Sequence, residues 1–200
     1  MMSQKLYIFD FDDTLVSSGA LIKIADEGGE IVRTMTSEEY ANPNHPNQLS
    51  SKERKSGFRE DFSEFEIYPP DGNVIEPTFS EFLRAIADVG VEHVVVLTAR
   101  DSRGPVADFL SNEGVTGIEV ITVAGVNPQL KASYVKKRLE DPNNDYSEVH
   151  VYEDSARNLN AIQRAVAGIE GVNFTPTHVT KQNESLLRTL IREMIYIEDI

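Results

Sequence analysis

The sequence predicts an α/β fold in which helices cover both faces of a mostly parallel sheet, a three-layer α/β/α sandwich. The order of the predicted elements supports this class, and the length and composition support a single domain. Short apolar runs alternate along the chain with helical segments of ten or more residues, as parallel strands with right-handed crossovers require. The length of 200 residues and the hydrophobic content of 40% suit one domain, which we assign to residues 1–200.

The first strand is predicted at residues 6–9, and it runs directly into Asp10, Asp12 and Asp13. Carboxylates this close repel one another unless a cation or a proton intervenes. A hard divalent ion such as Mg²⁺ prefers oxygen ligands and suits such a cluster. The alternative is an acidic surface turn, but the apolar run before the cluster and Thr14-Leu15 after it count against that interpretation.

Residues 16–76 are predicted to form a small cap insertion after the first strand. The runs 20–25 and 30–35 flank a glycine turn and predict a β-hairpin, the flap of this insertion. Residues 36–40 predict one helical turn, whereas the Asn-, Pro- and Ser-rich stretch 41–57 predicts a loop or lid. Four aromatic side chains between residues 58 and 68 predict that this stretch packs down onto the protein.

The rest of the chain alternates regularly between helix and strand. Pro77 and Gly90 mark the two ends of the first long helix, and the continuous apolar run at 93–98 is typical of a strand buried on both faces. The predicted helices are 77–90, 102–113, 129–139, 156–167 and 183–195, and the predicted strands after the first are 93–98, 118–123, 148–152 and 172–179.

Composition excludes several classes of protein. No run of about 18 apolar residues exists, so no membrane span is predicted, and the N-terminus lacks the pattern of a secretory signal. The absence of cysteine excludes disulfides and thiolate chemistry and fits a cytoplasmic protein. A net charge of -14 disfavours long nucleic acid as a partner, although a small phosphorylated substrate can still bind in a local cleft. The sequence leaves the oligomeric state open.

Polar side chains follow several predicted strands at the edge where α/β folds bind ligands. Thr98, Arg100 and Asp101 follow the second strand of the alternating series, and Glu153 and Asp154 follow the fourth, with Lys131 at the start of the helix before it. Carboxylates, a hydroxyl and an ammonium at one edge are the groups that phosphoryl transfer to an aspartate needs.

With these residues the chain resembles the haloacid dehalogenase superfamily, in particular its phosphatase branch, over roughly residues 5 to 168. The order and spacing of four motifs carry the resemblance, which implies a Rossmann-like sheet. The Glu-Asp-Ser form of the last motif is similar to the β-phosphoglucomutase-like members. The matching residues are Asp10, Asp12 and Thr14 for the first motif, Thr98 for the second, Lys131 for the third, and Glu153 with Asp154 for the fourth.

The resemblance implies a Mg²⁺-dependent phosphomonoester hydrolase that works through a phosphoaspartate on a small metabolite, a nucleotide or a nucleic-acid end. Asp10 is then the nucleophile and a metal ligand, and Asp12 is the general acid and base with its backbone carbonyl on the metal. Asp154 ligates the metal, and Glu153 ligates it directly or through a water.

Three side chains are expected to contact the substrate. Thr98 donates to a phosphate oxygen, Lys131 pairs with both Asp10 and the phosphate, and Arg100 contacts the substrate. Each of these roles has an alternative: Thr98 can cap the turn after its strand, and Arg100 can pair with Asp101. For the motif lysine, Lys136 and Lys137 compete with Lys131. Asp13 is expected to be structural.

Two other functions remain open at this stage. A phosphomutase is suggested by the Glu153-Asp154-Ser155 motif, although the insertion shows no helical-bundle cap of the size that those enzymes carry. A non-catalytic phospho-ligand-binding protein on the same fold is disfavoured, because a binding protein has no need of Asp12.

Overall fold

The computed structural model describes residues 4–69 and 72–180. The described residues form the following elements: β1 (Gln4–Phe9), β2 (Val16–Ser17), β3 (Ile22–Ala25), β4 (Ile31–Met35), α1 (Ser37–Ala41), α2 (Ser51–Lys55), β5 (Arg59–Asp61), β6 (Asn73–Val74), α3 (Thr78–Val89), β7 (Val94–Thr98), α4 (Gly104–Asn112), β8 (Glu119–Thr122), α5 (Pro128–Glu140), β9 (Tyr146–Glu153), α6 (Ala156–Val166) and β10 (Asn173–His178). Short 3₁₀ turns lie at Ser63–Glu66 and Val91–His93.

Five parallel strands form the central sheet in the order β10-β9-β1-β7-β8. In the middle of this sheet, Ile8 of β1 pairs with Val95 on one side and with Val151 on the other. The α/β class and the parallel sheet predicted from the sequence are therefore confirmed, in an arrangement compatible with a Rossmann-like fold. Because β1 is central, the residues that follow it lie in the middle of the carboxyl edge.

Hydrophobic clusters cover the two faces of the central sheet. On one face, Leu6 and Ile8 of β1 belong to a buried cluster with Ala132 of α5 and Ile162 of α6. On the other face, Phe9 belongs to a cluster with residues of α3 and α4, and its ring meets that of Phe82 edge-on at 5.2 Å between centroids. Side chains alternate between the faces of a strand, so β1 supplies apolar residues to both clusters.

The helices begin and end where local chemistry favours it. α5 starts at Pro128, and the side chain of Asn127 accepts from the backbone N–H of Gln129, 3.0 Å away. α6 is capped by Ser155, and α3 is followed by Gly90 at φ 87°. These elements confirm the predictions to within a few residues, except that the predicted helix 183–195 lies outside the described residues. Among the described helices, none has the length and apolarity that a membrane span requires.

The insertion, residues 16–76, forms a small sheet with its own core. β3 pairs antiparallel with β4, which confirms the predicted hairpin, and β5 adds a third strand on the other side of β3. Buried apolar residues of this sheet pack against partly buried aromatic rings, among them the predicted Phe58, Phe62 and Phe65. The aromatic stretch therefore packs mainly within the insertion.

The prediction of loop structure across residues 41–57 is wrong at α2. The side chain of Ser50 accepts from the backbone N–H of Glu53, and the carboxylate of Glu53 accepts from the backbone N–H of Ser50 at 2.8 Å. This capping box is a Ser-x-x-Glu pattern that the sequence contains, and the surrounding Asn and Pro residues obscured it. Arg33 of β4 also pairs with Glu53 at 2.8 Å, which holds α2 against the small sheet.

Replacement of Leu6 by alanine tests the packing of β1. Leu6 is fully buried, whereas Leu83 on α3 is 44% exposed. We expect Leu6→Ala to lower the free energy of unfolding by about 2–5 kcal/mol and Leu83→Ala by less than about 1 kcal/mol, measured by urea denaturation. Equal losses in the two variants would contradict the central position of β1.

Candidate active site

A tight loop after β1 directs two carboxylates into one cleft. The backbone N–H groups of Leu15 and Val16 both donate to the carbonyl of Phe11, 3.0 Å away. Asp13 takes a left-handed conformation at φ 58°, which aspartate tolerates better than most residues and which agrees with a structural role. Asp10 and Asp12 line the cleft. Phe11, which lies between them in the chain, is buried in the hydrophobic cluster that contains Phe9 and Phe109.

Lys131 joins two of the strand ends. It lies in the first turn of α5, and its Nζ donates to Asp10 Oδ1 at 2.6 Å and to Glu153 Oε2 at 2.7 Å. Its side chain is only 4% exposed. Lys136 instead pairs at the surface with Glu140, 3.6 Å away, and Lys137 is exposed. Of the three lysines that the sequence left in competition, the structure brings Lys131 to the site.

Hydrogen bonds hold the end of β9 at the same edge. Glu153 Oε1 accepts from the side chain of Asn158 at 2.9 Å and from the backbone N–H of Ser155 at 3.2 Å. The backbone N–H of Asp154 donates to Thr14 Oγ1 at 3.0 Å, and that hydroxyl donates to Asp10 Oδ2 at 3.4 Å. Thr14 of the first motif thus links the end of β1 to the end of β9.

Three carboxylates form a cluster that can hold a metal ion. Asp10, Glu153 and Asp154 each offer one oxygen, and these oxygens lie within 4.8 Å of one another. An all-oxygen set of this kind fits a hard divalent cation. The Asp12 side chain points elsewhere, toward Arg100. Its predicted ligation was through the backbone carbonyl, and that assignment stays a prediction.

The electrostatics of the cluster favour the uptake of a cation. Burial, assisted by the charge of Glu153, raises the pKa of Asp10 to about 7 in spite of Lys131. Burial and the charge of Asp10 raise the pKa of Asp154 to about 9. Although burial opposes it, the charges of Asp10 and Glu153 raise the pKa of Lys131 above its usual range, so Lys131 remains an ammonium. Without a cation, the cluster therefore carries protons at neutral pH.

Arg100 and Asp12 form a buried, two-pronged ion pair. Arg100 Nε donates to Asp12 Oδ2 at 2.8 Å and Nη2 donates to Oδ1 at 2.7 Å, while Ser18 Oγ donates to Oδ1 at 2.9 Å. The predicted alternative that Arg100 pairs with Asp101 is wrong, because Asp101 is exposed and the guanidinium turns toward the end of β1. Sequence reasoning did not identify this pair, whose members are 88 residues apart.

Thr98 ends β7, is almost completely buried, and is not among the described residues that line the cleft. Its Oγ1 accepts from the backbone N–H of Arg100, 3.2 Å away. The hydroxyl thus caps the turn, which was the alternative to a role in phosphate binding. Donation from Thr98 to a phosphate oxygen stays a prediction.

The cleft above these residues has a volume of about 710 Å³. The insertion contributes one wall with partly buried aromatic rings, and the loop after β8 contributes another at residues 124–128. The sequence predicts a cap at residues 16–76 but identifies no side chain of either wall, although the rule that ligands bind at the carboxyl ends of strands points to the loop after β8. The side chains that line the cleft and were not predicted include Ile22, Tyr40, Phe62, Phe65, Val126, Asn127, Arg157 and Asn158.

Comparison of the chain with protein-family models found no match, and comparison with curated proteins also found none. Among solved structures, the chain is similar to the crystal structure of the Legionella pneumophila effector Ceg4, with 12% identity and a TM-score of 0.46. The similarity covers 97% of this chain and 95% of that one. At this TM-score, the likeness carries no argument about fold or activity.

The raised pKa values predict that a cation changes how stability depends on pH. In the folded protein, the pKa of Asp10 is about 7 and that of Asp154 about 9, against an ordinary value of 3.8. The folded state therefore binds more protons than the unfolded state, and in EDTA the Tm should fall as the pH rises from about 5 to about 9. Excess Mg²⁺ should reduce this fall, because it replaces the protons.

Asp154→Asn provides the matched variant for this measurement. It should show a smaller fall in Tm over the same pH range, and Mg²⁺ should have little effect on it. A Mg²⁺ effect equal to that in the parent protein would place the metal site elsewhere.

Proposed function

We propose that this protein is a Mg²⁺-dependent phosphomonoester hydrolase of the haloacid dehalogenase type, which works through a phosphoaspartate. The observation that carries the proposal is the ammonium of Lys131, held between Asp10 and Glu153 beside an acidic cluster able to hold a cation. A lysine next to a carboxylate nucleophile offsets the repulsion between that nucleophile and an anionic phosphate.

The proposed architecture is a three-layer sandwich with the insertion as a cap. Apolar clusters on both faces of the central sheet support the layers. Tyr40, Phe62 and Phe65 of the insertion line the same cleft as Asp10 and Asp154, which supports the cap.

In the first proposed step, an oxygen of Asp10 attacks phosphorus, and the bond between phosphorus and the ester oxygen breaks. The electron pair stays on the leaving oxygen, which takes a proton from Asp12; Asp12 must therefore enter this step in its protonated form. Lys131 is an ammonium when the attack begins, because the charges of Asp10 and Glu153 raise its pKa.

In the second proposed step, a water oxygen attacks the phosphorus of the phosphoaspartate, and Asp12 takes the proton of that water. The bond from phosphorus to Asp10 breaks, which restores the free carboxylate and releases inorganic phosphate. A carboxylate two residues after the nucleophile serves both steps because the loop after β1 places both side chains in one cleft.

Mg²⁺, when bound by Asp10 and Asp154 with Glu153 as a direct or water-mediated ligand, supplies positive charge against the phosphate oxygens. Asp12 is proposed to add its backbone carbonyl to this set. Glu153 also orients Lys131, and its second oxygen is already held by Asn158 and Ser155. Thr98 and Lys131 are the proposed contacts of the phosphate.

The substrate that fits this cleft is a small phosphomonoester with an apolar or aromatic leaving group. The volume of about 710 Å³ exceeds the size of a phosphate, and the insertion lines the cleft with the rings of Tyr40, Phe62 and Phe65. Lys131 and Arg100 are both engaged by carboxylates, which leaves the exposed Arg157 as the remaining basic side chain of the described lining. An aryl phosphate or a nucleoside monophosphate fits better than a polyanion.

The nucleophile is tested by Asp10→Asn. We expect the parent protein to hydrolyse p-nitrophenyl phosphate with Mg²⁺ and not with EDTA, and the variant to lose turnover by at least about 10³-fold, because an amide cannot form the phosphoaspartate. Asp108→Asn, at an exposed position of α4, is the matched control and should retain full activity. If the parent protein binds phosphate but turns over no phosphoester, the non-catalytic interpretation is favoured.

The aromatic wall is tested by Phe62→Ala. A stacked or edge-on ring is worth about 0.5–1.5 kcal/mol, so KM for an aryl phosphate should rise by about 3- to 10-fold, with a smaller change for glycerol phosphate. Phe58→Ala is the control, since Phe58 packs in the same small core but does not line the cleft. Equal effects of the two variants on KM would assign Phe62 to the core of the insertion alone.

A further inference from the structure

The guanidinium of Arg100 connects Asp12 to the insertion. Two of its nitrogens donate to the two oxygens of Asp12, at 2.8 and 2.7 Å. The third, Nη1, donates to the backbone carbonyls of Phe65 at 2.6 Å and Ile67 at 3.2 Å. Every nitrogen of the group therefore has a protein acceptor, and the residue is 4% exposed.

Two aromatic rings fix the plane of this guanidinium. The central carbon of Arg100 lies 5.2 Å from the ring centroid of Phe11 and 5.6 Å from that of Phe65. Phe11 stands between Asp10 and Asp12 in the chain, and Phe65 belongs to the insertion. Contacts of a cation with ring faces add to the hydrogen bonds, so Arg100 has one well-defined position.

We propose that Arg100 is a positioning residue for proton transfer, which holds Asp12 on the insertion side of the cleft and does not itself bind the substrate phosphate. The inference rests on the proposed function, because it requires Asp12 to serve as acid and base. It departs from the sequence-based assignment of Arg100 to substrate contact, since Asp12 and two carbonyls already accept from four of its five N–H groups.

The geometry explains why this position needs an arginine. Asp12 also accepts from Ser18 at 2.9 Å, so three donors fix the orientation of its carboxylate. Asp10 is held separately by Lys131 and Thr14. Lysine at position 100 would keep the charge but lose the planar fork, and the Asp12 carboxylate would then be less firmly oriented.

The test is Arg100→Lys, assayed with 2,4-dinitrophenyl, 4-nitrophenyl and phenyl phosphate. The value of kcat/KM reports the step in which the ester bond breaks, and a poor leaving group depends most on the proton from Asp12. We expect kcat/KM to fall on the order of 10- to 100-fold for phenyl phosphate and less than about 3-fold for the dinitrophenyl ester, as a misplaced acid predicts.

A double-mutant cycle separates positioning from general damage. Asp12→Asn should show the same dependence on the leaving group, and Arg100→Lys should change kcat/KM less than about 2-fold when Asp12 is already replaced. Arg103→Lys, at an exposed site in the same loop, is the control and should match the parent protein. Thermal melting should show that all variants fold.

Two results would overturn the proposal. If Arg100→Lys raises KM equally for all three esters with no change in the dependence on the leaving group, Arg100 binds the phosphate. If the losses in the two single variants multiply in the double variant, Arg100 acts independently of Asp12. Failure of the proposed function would appear differently, as the absence of Mg²⁺-dependent turnover in the parent protein.

Discussion

The contact on which the rest of the site depends is the pair of hydrogen bonds from Lys131 to Asp10 and Glu153. A buried ammonium between two carboxylates compensates for desolvation only when its geometry is good, and loss of one partner leaves an uncompensated charge. These bonds join the ends of β1 and β9 to the first turn of α5. The position of each of these elements is therefore tied to the position of the other two.

The charge at the carboxyl edge of the sheet does not balance among the protein groups. Two cations, Lys131 and Arg100, face the four carboxylates Asp10, Asp12, Glu153 and Asp154. Arg100 compensates Asp12, and Lys131 is shared by Asp10 and Glu153. Burial and the charge of Asp10 raise the pKa of Asp154 to about 9, so without a metal ion this carboxyl group carries a proton at neutral pH. With all four carboxylates ionised, they exceed these two cations by two negative charges, which one divalent cation would compensate in place of protons, and this supports the proposed metal site.

Much of the fold and part of the site could be predicted from the sequence, because the signals are local. The apolar run at 93–98 predicts one strand, β7. Pro77 and Gly90 predict the two ends of one helix, α3. The convergence of Asp10, Lys131 and Asp154 followed from the rule that parallel strands end at one edge. The pairing of Arg100 with Asp12 could not be read in this way, because it depends on how two loops bend after different strands.

The insertion shows the same limit of sequence reasoning. Its hairpin has a local signature in the glycine turn, whereas its contribution to the cleft depends on the angle at which the small sheet meets the central one. No pattern at Tyr40, Phe62 or Phe65 distinguishes a ring that lines a cleft from one that fills a core, and in the structure these rings do both.

Two ion pairs lie on different sides of the cleft: Lys131 with Asp10 on the side of the central sheet, and Arg100 with Asp12 on the side of the insertion. Lys131, Glu153 and Asp154 belong to elements of the central sheet and its helices, so the proposed chemistry at phosphorus depends on rigid parts of the fold. Asp12, by contrast, is held through Arg100 to two carbonyls of the insertion. If the proposed function is right, changes in the insertion should therefore affect the leaving group and proton transfer and leave the proposed metal site intact. A fold with this division can vary its substrate without rebuilding the groups that act on the phosphate.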